Sequence, residues 1–239
     1  MIPKKIHYCW FGRGKKPELA VKCIQSWKKY LPDYELKEWN EDNFDLDMYP
    51  YVREAYDNRK FAFVTDVVRL YALYTEGGVY MDTDVEVLKS YDAFLHHAGF
   101  SGFECYDRVS TGTMACEKGG KFAKDNLAYY EGKHFLKEDG TPDLTTNVTT
   151  ITNYFLGLGI KLNNTLQDFP GIFTMYPNDY FCPKNFETKK LTITTNTVCI
   201  HHFDGSWRGR SSKIKYKFIS LMGPRLAKIF VKMKSLLIK

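Results

Sequence analysis

The chain has 239 residues, of which 44% are hydrophobic, 16% aromatic and 26% charged, and its formal net charge at pH 7 is +6. This length and composition exclude a disordered or fibrous chain and are typical of a globular enzyme with one main core. No apolar run approaches the ~18 residues of a membrane-spanning helix and no signal peptide is recognisable, so we expect a cytoplasmic protein. The six cysteines include no Cys-x-x-Cys pair, which predicts buried reduced thiols rather than disulfides or a zinc site.

The first part of the chain alternates strands with helices. Residues 6–10 predict a strand, residues 17–30 an amphipathic helix and residues 34–39 a second strand. This alternation is typical of a parallel sheet with helical crossovers, in which ligands bind at the carboxyl ends of the strands. Trp10 and Asn40 come at the ends of the two strands and are therefore expected at that edge. Trp10 could either contact a ligand there or pack in the core.

Residues 60–74 predict a helix whose apolar residues form one stripe. Asp66 and Arg69 are three residues apart on this helix, so their side chains share a face. The pair is either an ordinary surface ion pair or part of a binding site, and the spacing alone leaves both interpretations open.

The next segment is the one around which the chain is expected to be organised. Gly77 and Gly78 can adopt the positive φ that ends a helix, and residues 79–81 form a short apolar run typical of a buried strand. Asp82 and Asp84 follow at its carboxyl end, where side chains two residues apart point the same way. Two carboxylates this close are most readily neutralised by a divalent cation. A simple turn with a helix N-cap is the alternative.

Four further elements are predicted after this acidic pair: strands over residues 99–104 and 111–116, and helices over residues 122–130 and 148–158. A late strand over residues 197–202 ends in His201 and His202. Because successive side chains of a strand alternate between its two faces, these histidines are expected to point in opposite directions.

The last segment differs in charge from the rest of the chain. Residues 205–239 contain ten Lys or Arg and no acidic residue, so the preceding 204 residues, with 24 basic and 28 acidic, carry a net charge of −4. Pro224 can begin a helix with one apolar and one basic side. Such a helix predicts contact with an anionic membrane surface, and docking on the rest of the chain is the alternative. Nucleic acid is not expected as a partner, because no recognised reader motif accompanies the basic residues.

Four segments, in this order, resemble glycosyltransferase family 32: residues 2–12, 63–69, 77–84 and 201–207. The family includes bacterial capsular and lipopolysaccharide sugar transferases and fungal mannosyltransferases with a DXD motif, and it is related to the glucosyltransferase domains of large clostridial toxins. The resemblance implies an α/β fold of the GT-A type over residues 1–207, a Rossmann-like mixed sheet flanked by helices. Residues 208–239 would follow as the basic amphipathic C-terminal segment.

The resemblance also implies roles for single residues. The implied ligands of a Mn²⁺ or Mg²⁺ ion are Asp82, Asp84 and His202. His202 is favoured over His201 because it stands three residues before Gly205. The implied catalytic residues are Asp66, Arg69, Asp82 and Asp84. The residues implied to contact the nucleotide sugar are Trp10, Asn40, Thr65, Asp66, Arg69, Asp82, Thr83, Ser206 and Trp207. Glu104 is expected near the acceptor.

The resemblance therefore implies a metal-dependent, retaining glycosyltransferase. It would move a hexose from UDP-galactose or UDP-glucose to a lipid-linked or polysaccharide acceptor in surface-glycan biosynthesis, at the inner face of a bacterial cell membrane. Two alternatives stay open. Residues 82–85 also fit the Asp-x-Asp-x-Val motif of haloacid-dehalogenase-type phosphatases, although that motif normally follows the first strand. The basic tail, in turn, fits a non-catalytic protein that binds membrane surfaces.

Overall fold

The computed structural model describes residues 1–105 and 107–205. The strands are β1 (Lys5–Cys9), β2 (Glu35–Trp39), β3 (Gly78–Met81), β4 (Val85–Val87), β5 (Gly99–Cys105), β6 (Arg108–Val109), β7 (Thr113–Cys116), β8 (Gln167–Phe169), β9 (Phe173–Tyr176) and β10 (Cys199–His201). The helices are α1 (Glu18–Tyr30), α2 (Pro50–Asp57), α3 (Phe61–Glu76), α4 (Lys121–Ala128), α5 (Asn147–Gly157) and α6 (Asn178–Phe181). Every predicted strand and helix before the tail is present, with its ends displaced by at most two residues.

The main sheet is mixed. Its strands follow the order β2-β1-β3-β7-β5-β9-β8, and β6 pairs with β5 outside this path. β1 is parallel to β2 and β3, whereas β7 is antiparallel to β3 and β5. The parallel arrangement predicted from the alternation of elements therefore holds for the first three strands, and the whole sheet has the mixed character implied by the resemblance. β4 and β10 form a separate antiparallel pair.

One edge of the main sheet gathers segments that are far apart in the sequence. β1 and β3 end there because they are parallel, β7 begins there because it is antiparallel to β3, and β5 ends there because it is antiparallel to β7. Met81 pairs with Thr113 at this edge, and the Asp82 N–H donates a hydrogen bond to the Gly112 carbonyl at 2.8 Å. The residues just after β3 and just before β7 are thereby held side by side.

Helix α3 is buried on most of its circumference rather than on one stripe, because it packs against α2, α4 and β1. Asp66 and Arg69 therefore lie in the interior, with 8% and 5% of their surfaces exposed. The helix ends at Gly77, whose φ is 68°, as the glycine pair predicts. Gly78 has a φ of 119°, and a Cβ there would lie 2.6 Å from the Lys5 carbonyl oxygen, so glycine lets β3 lie directly beside β1.

Within the described ranges, no helix is both long and apolar enough to cross a membrane. The six cysteines are all free, as predicted. Residues 206–239 lie outside the described residues, so the basic amphipathic helix and its membrane contact stay predictions. The same holds for the roles of Ser206 and Trp207 and for the division of the chain at residue 207.

Candidate functional site

A cleft of about 890 Å³ opens at the edge of the sheet where β1, β3 and β5 end. The residues predicted from the sequence that line it are Trp10, Thr65, Asp66, Arg69, Asp82, Thr83, Asp84 and Glu104. Asn40 lies apart from them, in a neighbouring pocket of about 250 Å³ that shares Trp10 with the cleft. The fold thus brings together most of the predicted donor, metal and acceptor residues.

Asp82, Asp84 and His201 form a group that could hold a metal ion. One ligand atom from each lies within 4.8 Å of the other two. The Nε2 atom of His201 is 3.3 Å from Oδ1 of Asp84 and 3.8 Å from Oδ2 of Asp82. Neighbouring ligands of an octahedral ion with bonds of about 2.1 Å are about 3 Å apart, so these side chains fit one ion with only small shifts. Two carboxylates and an imidazole also form a donor set that suits Mn²⁺.

His202 does not belong to this group, so the choice of His202 over His201 as the metal ligand is wrong. β10 pairs with β4 so that His201 lies opposite Val85, next to the acidic pair. The side chain of His202 lies elsewhere, with its Nε2 atom 2.8 Å from Oε2 of Glu86. The two histidines make these separate contacts because side chains of an extended chain alternate in direction, as the sequence predicted.

The segment after β10 wraps around Asp84. The Oδ2 atom of Asp84 accepts a hydrogen bond from the Asp204 N–H at 2.8 Å, and its carbonyl oxygen accepts one from the His202 N–H at 3.0 Å. Burial by itself would raise the pKa of the Asp84 carboxyl group, but the charge of His201 and the hydrogen bonds from His201 and the Asp204 N–H lower it to about 2. Burial likewise opposes charge on His201, yet the Asp84 carboxylate raises the pKa of His201 well above its ordinary value.

Arg69 links two carboxylates in the floor of the cleft. Its Nη2 atom lies 3.3 Å from Oδ1 of Asp66 and 3.3 Å from Oδ1 of Asp82. Its Nη1 atom donates to the Thr111 carbonyl at 2.8 Å, and the Tyr80 hydroxyl donates to Oδ1 of Asp82 at 2.8 Å. Because Asp66 and Arg69 are buried, the interpretation of this pair as a surface ion pair is wrong. Removing one member would leave a buried charge without its partner.

Asp66 also meets the beginning of α5, a contact that the sequence does not indicate. Its Oδ2 atom accepts a hydrogen bond from the Asn147 N–H at 3.2 Å. Asn147 is 2% exposed, and its side-chain Oδ1 has no hydrogen-bond partner among the described residues although the residue lines the cleft. Burial raises the pKa of Asp66 to about 7, against the opposing charge of Arg69. The hydroxyl groups of a sugar could donate hydrogen bonds to the Asp66 carboxylate and to Oδ1 of Asn147.

Gly112 is a second residue that sequence reasoning missed. A Cβ at this position would lie 2.5 Å from Nδ1 and 2.7 Å from Cε1 of the His201 ring. Glycine therefore leaves the space in which the imidazole reaches the acidic pair. No local pattern could reveal this contact, because the two residues are 89 positions apart in the sequence.

Trp10 lies at the mouth of the cleft and is only partly buried, so the core interpretation of this residue is wrong. Its indole N–H donates to the Gly14 carbonyl at 2.5 Å, and Nζ of Lys16 lies 5.7 Å from the ring centroid. Thr65 donates its hydroxyl to the Phe61 carbonyl at 3.0 Å. The loop after β1 is thus folded so that an aromatic ring faces the cleft.

Comparisons with known proteins show similarity to sugar transferases. Residues 17–101 match the family described as "Glycosyltransferase sugar-binding region containing DXD motif". The chain is 32% identical over 125 residues to "Inositol phosphoceramide mannosyltransferase 3" of Schizosaccharomyces pombe. The aligned residues make up 51% of this chain and 35% of that protein. It is 34% identical over 101 residues to "Inositol phosphoceramide mannosyltransferase 2" of the same organism. The aligned residues make up 41% of this chain and 29% of that protein. The chain thus spans about a third of the length of these curated relatives.

A solved structure described as "PaToxG Glycosyltransferase" has a similar fold. The TM-score is 0.50 at 20% sequence identity, over 67% of this chain and 73% of that one. At this identity the similarity concerns the fold alone. Together with the strand order, it confirms the predicted GT-A type of α/β fold with a mixed sheet flanked by helices.

Proposed function

We propose that the protein is a metal-dependent transferase of hexose from a nucleotide sugar, on the premise that residues 17–101 match a glycosyltransferase sugar-binding region containing a DXD motif. One observation carries the proposal. Asp82, Asp84 and His201 converge in the same cleft as the buried pair formed by Asp66 and Arg69. A cation-binding group next to a pair that can bind hydroxyls is the arrangement that a diphosphate-linked sugar requires.

Asp82, Asp84 and His201 would hold the divalent ion. A bound ion supplies a Lewis acid that stabilises the negative charge developing on the leaving diphosphate. Mn²⁺ is preferred over Mg²⁺ because an imidazole suits a transition metal better. Arg69 keeps the Asp82 carboxylate in place from inside the protein, and the Asp204 N–H does the same for Asp84. The ligands are therefore positioned before any substrate enters.

The donor sugar would lie between α3 and α5. Asp66 offers a carboxylate to its hydroxyls, and Asn147 offers its unpartnered Oδ1 atom. Trp10 would stack on the nucleotide base at the mouth of the cleft, with Thr65 and Thr83 along the wall. Asn40 would reach only a nucleotide that extends into the neighbouring pocket. Ser206 and Trp207 lie outside the described residues, and their contacts with the nucleotide sugar stay predictions.

The reaction we propose retains the anomeric configuration. An oxygen of the acceptor hydroxyl forms a bond to the anomeric carbon as the bond from that carbon to the diphosphate breaks. The electron pair leaves with the diphosphate, which takes the hydroxyl proton on the same face of the sugar. Among the described residues that line the cleft, Asp66 and Asp82 are engaged by Arg69, and no side chain is required as a covalent nucleophile.

UDP-galactose or UDP-glucose is the donor expected from the sequence, and a lipid-linked or polysaccharide acceptor in surface-glycan assembly is the expected partner. The names of the relatives add mannose to the sugars worth testing. Neither alternative function is favoured. Asp82 follows the third strand of the chain, whereas the phosphatase motif follows the first. A protein that only binds membrane surfaces would not need the group formed by Asp82, Asp84 and His201.

A thermal-shift screen with Mn²⁺ tests the proposal directly. We expect one of UDP-glucose, UDP-galactose and GDP-mannose to raise the melting temperature by about 5 °C or more at saturating concentration, because a ligand at 100 times its Kd adds about 2.7 kcal/mol. The same nucleotide sugar with EDTA should give a much smaller shift. Slow Mn²⁺-dependent hydrolysis of that donor should follow. If no nucleotide sugar binds and none is hydrolysed, the proposal is wrong.

A further inference from the structure

Phe203, the second residue after β10, has a backbone conformation that a bulky residue rarely adopts. Its φ is 57°, in the left-handed region that favours glycine. Strain of this kind costs free energy and persists only where the surrounding contacts hold it, most often at functional sites. Phe203 lines the cleft and contacts His201, so the strained residue lies directly beside the group that could hold the ion.

This left-handed turn ends the pairing of β10 with β4. The last pair of the two strands places His201 opposite Val85. A strand continued in the same register would bring Asp204 opposite Asp82. The Asp204 N–H instead donates to Oδ2 of Asp84 at 2.8 Å. The turn therefore fixes one carboxylate of the ion-binding group and keeps the chain from pairing alongside the other.

The ring of Phe203 covers one face of the His201 imidazole. The two ring centroids are 4.1 Å apart, and the angle between the ring planes is 31°. Nε2 of His201 faces Asp84, whereas Nδ1 is buried and has no hydrogen-bond partner among the described residues. The nearby Cys182 thiol is only a weak hydrogen-bond acceptor.

This unpartnered nitrogen gives the aromatic contact its importance. A histidine that binds a metal ion through one ring nitrogen is usually oriented by a hydrogen bond at the other. Because Nδ1 of His201 lacks that bond, packing against the ring of Phe203 has to orient the imidazole. The contact also suits the charge, since the face of a phenyl ring is negative and attracts a ring that carries positive charge.

We propose that Phe203 is a positioning residue of the ion site: its ring orients the His201 imidazole, and its left-handed backbone holds the segment that binds Asp84. The inference rests on the proposed function, because it concerns the ion which that function requires. It adds a residue that acts on the ion through two of its ligands and takes no part in the bond-breaking step.

The first test concerns the ring and uses the full chain. The Kd of Mn²⁺ is measured by EPR of the free ion, with and without UDP. Phe203→Leu keeps an apolar side chain but no flat ring, and should raise this Kd about tenfold. Phe203→Tyr keeps the ring and should stay within about threefold of the wild type. Phe169→Leu, at a half-buried position on β8, is the matched control and should not change the Kd.

The second test concerns the backbone. Phe203→Ala and Phe203→Gly both remove the ring, but only glycine adopts the left-handed conformation without strain. We expect the glycine variant to melt about 3 °C above the alanine variant. Both should nevertheless bind Mn²⁺ at least about tenfold more weakly than the wild type. A phenylalanine with a merely structural role would change the melting temperature and leave the Kd of Mn²⁺ unaltered.

The outcomes separate the inference from the proposed function. Equal Mn²⁺ affinity in the wild type and in the leucine, alanine and glycine variants would overturn the inference alone. Equal melting temperatures of the alanine and glycine variants would overturn its backbone part. A wild-type chain that binds Mn²⁺ but no nucleotide sugar would overturn the proposed function and leave the inference standing. A wild-type chain that binds no Mn²⁺, with or without UDP, would overturn both.

Discussion

Two buried histidines of this protein, His7 on β1 and His201 on β10, have pKa values shifted in opposite directions. The side chain of His7 accepts a hydrogen bond from the Trp39 indole at Nδ1, 3.0 Å away, and donates one from Nε2 to the Gly77 carbonyl at 2.8 Å. Burial lowers the pKa of His7 to about 4. His201 faces two carboxylates instead, and its pKa rises.

The difference teaches that burial alone does not indicate the role of a histidine. At His7 both ring nitrogens are used by neutral partners, and a second proton would set Nδ1–H against the Trp39 N–H. The two hydrogen bonds therefore fix the His7 ring in its neutral form, and its role is to stabilise the fold. At His201 the partners are acids whose own charge has to be balanced, so the region is able to exchange a proton for a metal ion.

The largest effect is expected from the acidic pair. Asp84→Asn removes one ligand and the main charge partner of His201, and we expect it to lower donor turnover about a thousandfold, equal to about 4 kcal/mol of transition-state stabilisation. Turnover is measured as Mn²⁺-dependent release of nucleotide diphosphate. Asp33→Asn, at an exposed position of the same residue type, should have no effect. Equal turnover in the two variants would contradict the assignment of the site.

The second effect concerns stability at the His7 region. The unfolded chain takes up a proton at His7 below about pH 6.5 and the folded chain only below about 4, so stability contributed by neutral His7 is lost as pH falls through this window. The loss amounts to about 3 kcal/mol. Urea unfolding at several pH values should show a smaller slope in His7→Gln than in the wild type.

That variant also loses two hydrogen bonds, so a direct observation of the ring is the complementary measurement. The imidazole resonances of His7 should stay those of the neutral form from pH 8 to about pH 4.5. Titration of His7 near pH 6.5 in the folded protein would show that its environment is not the one described here.

The third effect distinguishes His201, the last residue of β10, from His202, which follows the strand. His201→Gln should weaken Mn²⁺ activation about a hundredfold, a loss of nearly 3 kcal/mol, because one ligand is removed. His202→Gln loses only its contact with Glu86 and should stay within about threefold of the wild type. The two variants differ by one position and serve as each other's control. A larger defect in His202→Gln would restore the ligand choice made from the sequence.

The smallest effect is expected from Gly112→Ala. The added methyl group would lie 2.5 Å from Nδ1 of His201, so the ring must move away until the distance reaches an ordinary van der Waals contact of 3.4 Å or more. We expect Mn²⁺ activation to weaken about tenfold, near 1.4 kcal/mol, with little loss of stability. Gly157→Ala, at a position with open space around the Cβ, is the control. Unchanged activation in Gly112→Ala would show that the ring does not need this space.

Much of the site was predictable because its first half is local in sequence. Two glycines that end a helix, a short apolar run and two aspartates one residue apart indicate strand, edge and cation site from spacing alone. The same holds for Asp66 and Arg69, whose separation of three residues puts them on one helix face. Their burial was not predictable, since it depends on α2 and α4 packing over α3.

The sequence by itself determined the alternation of elements, the acidic pair at a strand end and the opposite directions of the last two histidines, because these follow from periods of two and 3.6 residues in the backbone. Only the tertiary structure decided that His201 meets the acidic pair and that Asn147 meets Asp66. These outcomes depend on strand register and on contacts between residues tens of positions apart. A shift of one residue in the pairing of β10 with β4 would exchange the two histidines, and no local pattern sets that register.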